Sequence, residues 1–70
     1  MNLKDIIHLL GKKVKVIDVD GEQRIGYFMD YTNALNNPEG GWSIEIYPSK
    51  SSVSAWGYFK SDIKSIEKVK

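Results

Sequence analysis

The cationic side chains of this 70-residue chain, ten Lys and Arg in all, gather at its two ends. In residues 1–15, Lys4, Lys12, Lys13 and Lys15 are opposed by Asp5. In residues 50–70, Lys50, Lys60, Lys64, Lys68 and Lys70 are opposed by Asp62 and Glu67, so each end carries +3. Between them Asp18, Asp20, Glu22, Asp30, Glu39 and Glu45 outweigh Arg24, a net of −5, and the whole chain stands at +1. A basic surface therefore requires the two ends to meet in space. If they do, Lys12, Lys13 and Lys15 form a rim that tracks phosphates. The plainer reading is a row of solvated strand lysines that discourages edge-to-edge aggregation. Trp42, Trp56, Tyr27, Tyr47 and Tyr58 offer stacking platforms for single-stranded RNA, or a groove for an extended peptide, and equally the bulk that a small core needs.

Other chemistries are absent from the pattern. There is no cysteine and one histidine, which excludes disulfides and thiolate zinc sites and makes a chelate improbable. His8 lies off the apolar positions around it and is expected in solvent. Asp18, Asp20 and Glu22 cluster at a tight turn, where carboxylates cap backbone N–H groups, and a hard cation would need six or more oxygens. No nucleophile and base set can be nominated and no glycine-rich phosphate loop opens a helix, so the chain is expected to be no enzyme and to need no cofactor.

The elements that must position these residues follow from length and periodicity. Seventy residues make one domain, and 41% hydrophobic with 27% charged residues is an ordinary globular balance. So short a chain buries a small share of its surface, and without disulfides or a metal its remaining staple is oligomerisation. Leu3, Ile6, Ile7 and Leu10 fall at i, i+3, i+4 and i+7 and predict a short amphipathic helix stopped by Gly11, with Asn2 and Asp5 in a capping arrangement. Residues 13–19 alternate as a strand and lead into Asp20-Gly21, a hairpin turn signal. Residues 22–31 read as the returning strand, bent at Gly26. Residues 32–41 combine Pro, paired Gly and Asn into a loop. Trp42, Ile44 and Ile46 alternate in a third strand ending at Pro48, Val53 to Phe59 reads as a fourth, and Ile63 to Val69 as a fifth after a turn at Lys60-Ser61-Asp62. One helix followed by five short strands predicts a mostly β, α+β domain: a strongly bent antiparallel barrel of the OB, SH3 or Sm type. No run approaches the ~20 apolar residues of a membrane span and no signal-peptide pattern opens the chain, so the expected compartment is the cytoplasm.

Two stretches carry a family resemblance over nearly the whole chain. Leu10-Gly11-Lys12-Lys13-Val14-Lys15-Val16, Asp20-Gly21 and Gly26-Tyr27-Phe28 resemble the first motif of the Sm/LSm family, in which an Asp/Asn-Gly turn is followed five residues later by a strand glycine. Phe59-Lys60-Ser61-Asp62-Ile63-Lys64-Ser65-Ile66 is similar to the second motif in the form it takes in the bacterial RNA chaperones of that family. The resemblance implies an SH3-like barrel behind an N-terminal helix, the last strand paired with the first, and a homo-oligomeric ring closed by fourth-to-fifth strand pairing. It places the RNA-binding positions at Tyr31, Thr32 and Asn33 and at Lys60 and Ser61, with Lys12, Lys13 and Lys15 beside Lys64, Lys68 and Lys70. The departures fall on the same positions: Thr32 stands for the family's Asp, Ala34 for its stacking ring, and Ser61 for its His or Gly.

Two functional readings follow. One is a small RNA-binding protein that holds single strands with little base selectivity. The other is a protein-interaction or structural module that keeps the barrel and has lost the nucleotide site.

Overall fold

The computed structural model describes residues 2–33 and 41–70 as a mostly β fold: five antiparallel strands in one sheet, preceded by two 3-10 turns. The strands are β1 (Lys13–Asp18), β2 (Gln23–Thr32), β3 (Ser43–Tyr47), β4 (Trp56–Phe59) and β5 (Ile63–Lys68), in the spatial order β4-β3-β2-β1-β5. The first four form a meander, and β5 returns to pair with β1, with Val16 opposite Ile66 and Lys15 opposite Glu67.

The alternation read from the sequence lies on the inner face. Val14, Val16, Phe28, Ile44 and Ile46 are fully buried, and Ile6, Leu9, Trp42, Tyr58 and Ile63 complete the core. Each such side chain contributes about 1.5–3 kcal/mol on leaving water. The hairpin between β1 and β2 turns at Gly21, whose φ of 88° is open to glycine at no steric cost. Asp18 closes it: one carboxylate oxygen accepts from the N–H groups of Asp20 and Glu22, at 2.9 and 3.0 Å.

Three expectations are corrected. The N-terminal helix is two 3-10 turns, Leu3–Asp5 and Ile7–Leu9, with Ile6 between them at φ −120°. The apolar side chains that reach the core are Ile6 and Leu9, with Leu3 packed beside them, a spacing of three that matches three residues per turn, while Leu10 is 40% exposed. Two adjacent β-branched residues in a segment too short to offset helix nucleation favour this tighter winding. Asp5 still accepts from the Asn2 N–H, at 3.2 Å. The fourth strand is also shorter than expected. It starts at Trp56, and Val53 projects wholly into solvent.

The sheet, finally, is open: among the described residues no ladder joins β4 to β5. It nevertheless curls. Register shifts bend the strands where Met29 is the extra residue on β2, opposite β3, and where Lys64 is the extra residue on β5, opposite Ile17/Asp18 of β1. The Arg24 guanidinium on β2 lies 5.0 Å from the ring centre of Trp56, two strands away, and the Val19 N–H donates to the Asp62 carbonyl at 3.0 Å. Gly26 sits where β2 presses on β3: a Cβ placed there would meet the Tyr47 carbonyl oxygen at 2.5 Å and Ile46 Cγ2 at 2.8 Å.

Candidate nucleic-acid interface

The end of β2 and the turn after β4 converge. Thr32 lies opposite Ser43, and Ser43 opposite Phe59, so one row across three strands ends beside Lys60. The Lys60 N–H donates to the Trp42 carbonyl at 2.9 Å, and the next three residues wind as a 3-10 turn, Lys60–Asp62. Asp62 holds that turn by accepting from the Phe59 N–H at 2.9 Å. A Cβ placed at Gly41 would lie 3.5 Å from Lys60 Cδ and 3.7 Å from its Cβ. Tyr31, Thr32, Asn33, Lys60 and Ser61 are thus brought to one end of the sheet, with Lys60 and Ser61 exposed, Tyr31 39% exposed and Thr32 half-buried. Below them the buried Trp42 indole Nε1–H has no partner among the described residues. Ala34 and most of the 32–41 loop lie outside the described residues.

Lys12, Lys13 and Lys15 are not part of this end. Lys13 lies opposite Tyr27, and Tyr27 is separated from Thr32 by roughly 15 Å of extended strand at ~3.3 Å per residue. The basic ends do meet each other, since the Val69 N–H donates to the Lys13 carbonyl and Lys68 lies opposite Val14. Lys15, however, is paired with Glu67 at 3.1 Å, so a carboxylate offsets its charge along that rim.

The aromatic residues divide between two roles. Trp42 and Tyr58 are core, whereas Tyr27 and Tyr47 stand opposite each other on the outer face in one row with Lys13. Above this row the Lys50 ammonium lies 5.4 Å from the Tyr27 ring centre. The Tyr47 hydroxyl donates to Glu45 Oε2 at 3.2 Å. That bond raises the phenol above its ordinary pKa, with partial desolvation and the charges of Glu45 and Asp30 acting in the same direction. A raised folded value means stability that is present below the unfolded phenol's pKa and lost as pH climbs through the folded one. Glu45→Gln should therefore move the Tyr47 titration back toward lower pH, which ultraviolet difference absorbance reads directly.

Nothing in the sequence marked Tyr47, Lys50 and Tyr27 as neighbours. Their meeting depends on the β2–β3 register and on the extra residue at the Phe28/Asp30 bulge, which leaves no local signal. Among the described residues no group of three or more His, Cys, Asp or Glu could hold a metal ion, and no helix is long and apolar enough to cross a membrane. Comparison with family models, with curated proteins and with solved structures gives no match for this chain.

Proposed function

We propose that this chain is a small Sm-like protein whose curled sheet works as an SH3-like barrel, assembles into a ring, and binds single-stranded RNA with little base selectivity. The observation that carries the reading is the convergence of Tyr31, Thr32 and Asn33 with Lys60 and Ser61 at one end of the sheet, through the Thr32, Ser43, Phe59 row and the Lys60 to Trp42 bond. These are the two stretches in which the resemblance locates nucleotide contacts. The β5–β1 pairing is likewise the one it implies. Lys60 supplies the phosphate contact, and Tyr31 and Phe59 are the exposed rings at this end.

The test is a titration with oligo-U and oligo-A over a range of salt. Each lost phosphate contact on a single strand lowers the slope of log affinity against log salt by ~0.7, so Lys60→Ala should flatten it by about that much and leave base preference unchanged. Lys12→Ala, at a position that the register separates from Lys60, is the control. Absence of binding at every salt concentration would move the weight to the second reading, a protein-interaction module. That reading is favoured by Phe59, which is 47% exposed on an edge strand whose outer side pairs with no other strand among the described residues.

A further inference from the structure

We propose that the acidic cavity beside the free edge of β4 seats a lysine from β5 of a second copy, so that opposite charge selects which edges of two subunits pair. The inference rests on the assembly reading above and adds what chooses the contact. The cavity holds about 220 Å³ and is lined by Asp18, Asp20, Asp62 and Arg24, with Gly57 and Tyr58 of β4.

Its charge is unbalanced. Three carboxylates accompany one guanidinium, a net of −2, and the Arg24 cation lies over the Trp56 ring, 5.0 Å from its centre. Asp18 and Asp62 each commit one oxygen to accepting from backbone N–H groups, which leaves a second oxygen on each. Among the described residues none of the three carboxylates is ion-paired, the salt bridge being Lys15 to Glu67. Gly57 forms the wall at the sheet edge. Its N–H points outward, because those of Tyr58 and Trp56 point to β3, so a strand that pairs there passes beside the three aspartates.

The other edge of the same sheet has the matching sign. β5 exposes Lys64 and Lys68, and its one carboxylate, Glu67, is held by Lys15 at 3.1 Å. Pairing β4 with β5 joins opposite charges, whereas β5 against β5 opposes lysines and β4 against β4 opposes aspartates. Like charges brought together across an interface penalise the wrong partner. Both symmetric pairings are thereby disfavoured, and the head-to-tail pairing that remains is the kind that grows beyond a dimer.

The experiment is sedimentation velocity of the full chain at micromolar concentration, from physiological salt to about 1 M, where the screening length falls to ~3 Å. The multimer should fall toward 8.0 kDa as salt rises, which an apolar contact would not do. Asp20→Lys changes the one carboxylate of the three that holds no turn, and should weaken association at least about tenfold at physiological salt with thermal unfolding unchanged. Lys64→Glu combined with Lys68→Glu should do the same. Mixed in equal amounts, the two variants should form a mixed pair, since each keeps intact the edge that the other has lost, a rescue that misfolding would not allow. A mass unchanged at ~1 M salt or by Asp20→Lys, or a mixture that stays at 8.0 kDa, would overturn the proposal and leave the ring standing. A natural protein at 8.0 kDa at every salt concentration would overturn both.

Discussion

Gly26→Val should lower the unfolding free energy by about 3 kcal/mol, the upper range for overpacking a closed site. The cause is backbone, not side chain. A Cβ at Gly26 would stand 2.5 Å from the Tyr47 carbonyl oxygen, so relief requires β2 and β3 to separate at a hydrogen-bonded ladder, not merely a rotamer change. Ile46, whose Cγ2 would lie 2.8 Å away, is fully buried and cannot yield either. For a domain whose total stability is typically 5–15 kcal/mol, that loss is a large share. Gly57 provides the comparison, since nothing lies within 4 Å of a Cβ placed there, and Gly57→Ala should change stability by no more than ~0.5 kcal/mol. Urea midpoints at constant m-value measure both, and equal midpoints for the Gly26→Val and natural proteins would refute the close approach.

The second large effect is on mass. At micromolar concentration and physiological salt the protein should sediment as a multimer of its 8.0 kDa chain, and Gly57→Pro should return it to 8.0 kDa. β4 and β5 are the two edges of the sheet, and their free N–H groups follow from ladder alternation. Because the Lys60 N–H is spent on Trp42, those of Tyr58 and Trp56 also point to β3, which leaves Gly57 pointing outward. Phe59 points outward too, but Asp62 already accepts from it. On β5 the Val69 N–H is spent on Lys13, so Ile66 and Lys68 point outward. Pairing β4 of one subunit with β5 of the next is a head-to-tail contact, which closes into a ring when the rotation per subunit divides a full turn. Proline at position 57 removes the outward donor, at a site where nothing lies within 4 Å of an added Cβ. A natural protein that sediments at 8.0 kDa throughout would sink this expectation.

The strands were legible where one face is buried. Val14 and Val16, then Ile44 and Ile46, alternate with polar neighbours because the inner face excludes water, and Asp20-Gly21 announced its turn through glycine's tolerance of positive φ. The N-terminal segment reads as apolar and helical, but periods of 3.0 and 3.6 differ by one position over two turns, and the core takes Leu9 rather than Leu10. Val53 shows the reverse case. Its β-branched side chain suits a strand, yet no partner strand reaches it. At the candidate site the approach of Lys60 to the end of β2 was implied by motif order, whereas the distance from Lys60 to Lys12 and Lys13 depends on how far β2 extends past β1, a property of register that composition does not encode. The outer-face row of Lys13, Tyr27 and Tyr47 was illegible for the same reason.

The strand order also sets the order of events in folding. Every neighbouring pair from β1 through β4 joins consecutive segments, whereas the β1–β5 ladder joins the two ends of the chain, with Lys15 opposite Glu67. Closing so long a loop costs more entropy than closing a hairpin, so the meander can form first and β5 docks onto it afterwards. Until it docks, the β1 edge carrying Val14 and Val16 is open, and the subunit lacks one of the two strands through which a ring would grow. Growth of such a ring would therefore wait until β5 has docked.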